Sequence, residues 1–221
     1  MQFLYHPSAK DEYLSLKNED FLHLKVRRIK AFDKLILRNL KDDFAYLYEL
    51  VELQKNSCKL KLISYEKSPS NNTKGVLALG VIDTKNLEKI LPFLNELGLD
   101  KLVLIYTQFS QKNFKIDLER INRILINSCE QCGRTSLMKI EIFDNVKDFL
   151  HAFKHVVLID FKGKEFDESA LKDEKNIFFI GPEGGFSEEE RKMFDEKMKL
   201  ECAFILKSQT AILALATKIL L

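Results

Sequence analysis

One run of turn formers, Ser68-Pro69-Ser70-Asn71-Asn72-Thr73-Lys74-Gly75, divides the chain into two stretches whose hydrophobic patterns differ. Before it the period is two. Residues 34–40 and 58–64 alternate, and residues 44–53 are dense in aromatic and aliphatic side chains. Alternation is what a half-buried antiparallel strand presents. After the divide, residues 76–82 form a continuous apolar run, typical of a strand buried on both faces. Leu87, Ile90, Leu91, Leu94 and Leu97 then recur at helical spacing and stop at Gly98. Pro92 predicts a kink or an early break in that helix. Strands are predicted over 102–106, 156–159 and 177–180, and a helix over 116–130. Strand and helix alternate, so residues 71–221 are expected to form an α/β domain with a mainly parallel sheet. Residues 1–70 are expected to form a small β domain.

Composition narrows the class. A chain of 221 residues, 46% hydrophobic and 31% charged, holds a core without disulfides or structural metals. No apolar run approaches the ~20 residues of a membrane span, and no signal peptide is visible, so the expectation is a cytoplasmic protein with no membrane partner. Cys58, Cys129, Cys132 and Cys202 are few, as in a reducing compartment. Cys129 and Cys132 form a C-x-x-C at a helix end, without two further ligands at metal-site spacing. His151 and His155 lack a third ligand, so no metal is expected.

The net charge of +2 hides an asymmetry. Residues 1–70 hold 13 basic and 10 acidic residues. Within them, His23, Lys25, Arg27, Arg28 and Lys30 lie in eight residues free of acid, a segment suited to phosphate or to a solvated face.

The segment with most site character is Ile177-Phe178-Phe179-Ile180-Gly181-Pro182-Glu183-Gly184-Gly185-Phe186-Ser187-Glu188-Glu189-Glu190. An apolar strand enters a glycine-rich turn, and Ser187 with Glu190 reads as a capping box that starts a helix at about Glu188. In an open α/β sheet, ligands bind just past such strand ends. Phosphate is a poor fit: Ser187 caps the free donors and three glutamates occupy the positive end of the helix. No phosphate-loop or dinucleotide fingerprint is present. A neutral or cationic ligand held by backbone groups suits the loop better, and S-adenosylmethionine (SAM) meets that description. The same spacing also suits an ordinary tight strand–helix turn. The run Glu188-Glu189-Glu190-Arg191-Lys192 reads as a solvated face.

The stretch 180–190 resembles the signature of the RsmE-type 16S rRNA (uracil-N3) methyltransferases, of the SPOUT superfamily. Glu130-Gln131-Cys132-Gly133-Arg134, Ile205-Leu206-Lys207-Ser208-Gln209-Thr210-Ala211 and His23-Leu24-Lys25-Val26-Arg27-Arg28 are similar to further motifs of that family, in the same order. Departures occur at Phe32, Phe109, Cys202, Phe204, Lys207 and Gln209. The resemblance implies a PUA-like β-barrel domain followed by a SPOUT-type, trefoil-knotted catalytic domain with a parallel sheet. It also implies a homodimer, SAM as methyl donor, and 16S rRNA of the small ribosomal subunit as partner. By the same carry-over, SAM is held by Leu158, Ile180, Gly181, Pro182, Glu183, Gly184, Gly185, Ile205, Leu206 and Ser208. His23, Lys25, Arg27, Arg28 and Lys30 are expected to bind RNA backbone. Arg134 is the candidate cation beside the base oxygens, or else a phosphate or carboxylate clamp. Glu183 is a general base or a turn-shaping residue. The alternative is a catalytically impaired rRNA-binding protein of the same fold, supported by the replacements at 202, 204, 207 and 209. An enzyme of the same superfamily acting on tRNA is a third reading. The apolar C-terminal segment around residues 211–221 is expected to be buried, in the core or against a partner.

Overall fold

The computed structural model describes residues 2–17, 21, 24, 30, 32–69, 73–111 and 115–221. The chain forms two compact units, Met1–Asn71 with Ile126–Leu137, and Asn72–Leu125 with Met138–Leu221.

The first unit is built on a sheet of β1 (Leu4–Tyr5), β2 (Tyr13–Lys17), β3 (Lys34–Arg38), β4 (Phe44–Leu53) and β5 (Ser57–Lys67), in the order β1-β3-β4-β5-β2. All its pairings are antiparallel except β1 with β3, and the sheet curls as a half-barrel. Its alternating residues meet in one core of Leu14, Leu16, Leu37, Tyr48, Leu50 and Leu60, joined by Phe21 and Leu24. Of the basic segment, Lys30 is exposed and its N–H donates to Asp33 Oδ2 at 2.7 Å; His23, Lys25, Arg27 and Arg28 lie outside the described residues.

The second unit is a six-stranded, wholly parallel sheet. Its strands are β6 (Lys74–Gly80), β7 (Leu99–Ile105), β8 (Lys139–Phe143), β9 (Val156–Glu165), β10 (Ile177–Ile180) and β11 (Glu196–Lys199), in the order β11-β9-β10-β6-β7-β8. The helices are α1 (Thr84–Glu96), α2 (Leu118–Cys132, whose last turns belong to the first unit), α3 (Val146–Ala152), α4 (Glu188–Arg191) and α5 (Ser208–Leu220). β10 is buried on both faces, as its unbroken apolar run requires. The polar strand β11 is an edge strand, which is why no hydrophobic period announced it.

Pro92 does not break α1, which runs on to Glu96. One lost N–H is outweighed by Leu87, Ile90, Leu91 and Leu94, all buried on one face. Asp83 caps the start of α1, and Gly98 at φ +89° receives the chain at its end. The last helix, α5, buries Ala211, Ile212, Leu215, Ala216 and Leu220, while Ala214 and Leu221 stay exposed.

Candidate functional site

The site is built where β9 and β10 end their pairing. Ile180 lies opposite Ile159 in the last pair of the parallel ladder; β10 ends there and leads into the glycine loop, while β9 runs on to Glu165. In β9 the ladder to β11 jumps from Leu158–Lys197 to Lys164–Met198, so residues 159–163 bulge away from β11. The bulge sets Asp160 and Phe161 at the mouth of a cleft. Gly163 then lets β9 return to β11: a Cβ there would meet the Met198 backbone at 2.4 Å.

The loop after β10 is held by its glycines and by one ring. A Cβ on Gly181 would stand 2.9 Å from the Phe186 ring, and a Cβ on Gly184 would stand 2.8 Å from Phe109 Cβ. Gly185 adopts φ +68°, and its N–H closes the turn on the Pro182 carbonyl at 2.8 Å. Phe186 plugs the loop into the core. Its ring packs on Phe179 at 4.9 Å, which packs on Phe149 at 5.3 Å.

The predicted capping box is present. Ser187 Oγ accepts from the Glu190 N–H, and Glu190 Oε2 accepts from the Ser187 N–H. The second Glu190 oxygen accepts from the Gln108 N–H at 2.8 Å, tying the loop after β7 to the glycine loop. This corrects the reading of 188–192 as a solvated face. A single helical turn cannot point every side chain outward, and Glu190 and Arg191 turn in. Arg191 Nε donates to buried Asp160 Oδ2 at 3.0 Å, and its Nη1 donates to Glu188 at 3.0 Å. Lys162 also pairs with Glu188, and this hydrogen bond, with the cation's charge, holds the Glu188 carboxyl below the usual range. Sequence reading missed the Arg191–Asp160 pair and the Gln108–Glu190 tether, because the partners are distant in the chain.

These loops and residues 199–208 enclose a cleft of about 350 Å³, within the span of small-molecule sites. Nine of the ten residues expected to hold a cofactor line it: Ile180, Gly181, Pro182, Glu183, Gly184, Gly185, Ile205, Leu206 and Ser208. Leu158 does not. It is fully buried in the core beside Phe179, and its neighbour Ile159 takes the lining position. Glu183 is exposed on the cleft wall. Arg134 belongs to the first unit, where it is buried and its Nε donates to the Ser136 carbonyl at 2.8 Å. The rest of its motif is bonded to the N-terminal segment: the Gln2 N–H donates to the Glu130 carbonyl, and the Tyr5 N–H to the Glu130 carboxylate.

The sequence profile of the RNA methyltransferase domain matches residues 69–220, and that of the RNA methyltransferase PUA domain matches residues 16–63. The chain belongs to the RNA methyltransferase family. Family members named ribosomal RNA small subunit methyltransferase E include one from Helicobacter pylori, 47% identical over 226 residues and covering 98% of each chain. Another, from Mesomycoplasma hyopneumoniae, is 31% identical and covers 95% of this chain and 94% of that one. The fold of this methyltransferase family is shared by the Neisseria gonorrhoeae ribosomal RNA small subunit methyltransferase E crystallised with S-adenosyl methionine. Its TM-score is 0.80 at 19% identity, over 98% of this chain and 96% of that one. Among the described residues, no group of His, Cys, Asp and Glu is placed to hold a metal, and no helix is long and apolar enough to cross a membrane.

Proposed function

We propose that this chain transfers the methyl group of SAM to N3 of a uridine in 16S rRNA of the small ribosomal subunit, in the cytoplasm. The observation that carries the reading is the convergence of three segments, around residues 160, 181–185 and 200–208, on one cleft in a chain of the RNA methyltransferase family. Relatives named as small-subunit rRNA methyltransferases over the full chain support the substrate.

The residues present suit SAM. Glycine at 181 and 184 lets the loop pack against Phe186 and Phe109, where a Cβ would be obstructed, and so holds its backbone along the cleft. Ile159, Ile180, Pro182, Leu206 and Ala211 supply apolar walls for an adenosine. Backbone groups of 180–185 and 205–208 would hold it. When bound, SAM supplies a sulfonium-activated methyl group: its S–CH3 bond breaks as the N3–CH3 bond forms, leaving a thioether.

The protein's part is positioning and proton handling. Uracil N3 must give up its proton, and Glu183, exposed on the cleft wall, is the candidate acceptor or the residue that shapes the turn. Arg134 is the candidate to stabilise the charge that develops on the base oxygens. Rigid loops hold the two reactants in line, and that orientation supplies much of the rate. Basic residues His23, Lys25, Arg27, Arg28 and Lys30 would bind RNA backbone, supplying affinity rather than base identity.

We infer further that the C-terminal segment is threaded as a trefoil knot, with β10 inserted between β9 and β6, and that the enzyme is a homodimer. Phe161, Phe204 and Ile205, exposed around the cleft at 72–83%, support a second copy covering its mouth. The deciding experiment is tritiated-methyl transfer to small subunits from a strain lacking this protein, with the product mapped by mass spectrometry. Methylation at uracil N3 of 16S rRNA is expected. SAM binding without transfer to these particles would overturn the substrate assignment.

A further inference from the structure

The inner face of the first sheet does not stay buried to its end. Tyr46, Tyr48, Leu50 and Leu60 sit in the core, but at this end of β4 and β5 Phe44 is only partly buried and Tyr65 is 65% exposed. Tyr65 lies opposite Tyr46 in the ladder. The Phe44 and Tyr65 rings meet edge to face at 5.7 Å, and Tyr46 and Tyr65 are tilted at 6.2 Å. With Leu62 and Lys10 these rings line a cleft of about 250 Å³.

The polar groups here are unevenly engaged. The Tyr46 hydroxyl donates to Asp42 Oδ2 at 2.9 Å, and the Asp42 carboxylate also accepts from Asn39 Nδ2 and the Phe44 N–H. Three donors therefore satisfy the acid. Two cations flank the rings. Lys67 is opposite Phe44 in the β4–β5 ladder, on the same face. Lys10 lines the cleft with φ at +153°, backbone that glycine adopts freely and L side chains rarely do. It is pinned there by its N–H, which donates to Tyr48 Oη at 3.1 Å, while the Tyr48 hydroxyl donates to the Asp11 carbonyl at 2.7 Å. A strained backbone is thus kept where Lys10 lines the same cleft as three aromatic rings.

We propose that this cleft stacks an unpaired nucleotide base of the RNA substrate, with Lys10 and Lys67 on the adjoining phosphates. The proposal rests on the RNA-directed reading above. The exposed Tyr65 ring, backed by Phe44 and the buried Tyr46, can stack any base, and cations beside it suit a polyanion. A cationic peptide would meet two lysines and a carboxylate already saturated by its own donors.

The test is fluorescence anisotropy of the full-length protein with a short fluorescein-labelled oligouridylate at fixed salt. Tyr65→Ala is expected to weaken binding by roughly 5- to 150-fold, the range of one base–aromatic stack. Tyr65→Phe keeps the ring and is expected to keep the affinity. Lys10→Gly relieves the backbone, so it should weaken binding while holding or raising the melting temperature. Wild-type protein without affinity for the oligonucleotide, or a Tyr65→Ala variant as tight as wild type, overturns the proposal. Equal losses for Tyr65→Phe and Tyr65→Ala overturn stacking, and unchanged binding by Lys10→Gly removes Lys10 from the footprint. Methyl transfer by wild-type protein to small subunits is scored separately. Its absence overturns the functional reading while tyrosine-dependent binding still stands.

Discussion

At the scale of the residue, backbone conformation makes the sharpest statements. Phe32 sits at φ +69° with its side chain 73% exposed, and its N–H donates to the Leu50 carbonyl at 2.9 Å. A side chain in this region costs roughly 1 kcal/mol, so Phe32→Gly is expected to stabilise the fold by about 0.5 kcal/mol after glycine's extra unfolded-state entropy. Urea denaturation checks it: the midpoint should rise at unchanged slope. The opposite change is expected at Gly184, where a Cβ would be 2.8 Å from Phe109 Cβ. Gly184→Ala should weaken SAM binding by about 1–3 kcal/mol in calorimetry, and Phe109→Gly in the same chain should recover part of the loss. Tyr46 gives a pH dependence. Burial first, then the hydrogen bond to Asp42 and its charge, push its phenol from the ordinary value of 10.0 up to about 12. The neutral phenol is the stabilised form, so its contribution is complete below pH 10.0 and is lost as pH rises through about 12. Absorbance titration should show Tyr46 among several late-ionising tyrosines, with Tyr5, Tyr48 and Tyr106, and Tyr46→Phe should reduce the late amplitude by one residue.

At the scale of the element, the turn of α4 does more than begin a helix. Glu190 is shared between the Ser187 N–H and the Gln108 N–H, so one carboxylate joins the loops after β10 and β7. Glu190→Ala leaves both donors without that acceptor, and about 2–3 kcal/mol of stability should be lost. Hydrogen exchange should locate the damage as faster exchange at Gln108 and Ser187; unchanged protection at Gln108 would show that the tether is not maintained in solution. The capping box was legible because it is local: Ser187 and Glu190 are three residues apart, and chain geometry alone brings them together. The tether to Gln108 spans 82 residues, and the Arg191–Asp160 pair spans 31. Neither has a local signature. For the same reason residues 188–192 read as a solvated face. Pro92 shows the converse, a strong local signal overridden by buried leucines and isoleucine on the rest of α1.

At the scale of the whole molecule, the aromatic series Phe149, Phe179 and Phe186 connects the core to the glycine loop, so loop geometry and core stability are one problem. A ligand that binds only the folded loops must therefore stabilise the molecule. SAM at about 100 times its dissociation constant is expected to add roughly 2.7 kcal/mol, read as a rise in melting temperature. A melting temperature indifferent to SAM would remove the cleft as the cofactor site.

The sequence by itself determined the two hydrophobic regimes, three strands of the first sheet and four of the second but not the short alternating strands β2 and β8, the glycine loop and its cap. It also determined nine residues that come to line one cleft. Those features follow from backbone geometry and burial acting over a few residues, together with a family resemblance carried by contiguous motifs. Tertiary structure alone decided the strand order that sets β10 between β9 and β6, and the 159–163 bulge that turns Asp160 toward Arg191. It also decided the open end of the first sheet where Lys10, Phe44, Tyr46 and Tyr65 meet. The physical reason is range. Hydrophobic period and capping are written in neighbouring residues, whereas register, bulges and ion pairs depend on which distant segments the packed core sets side by side.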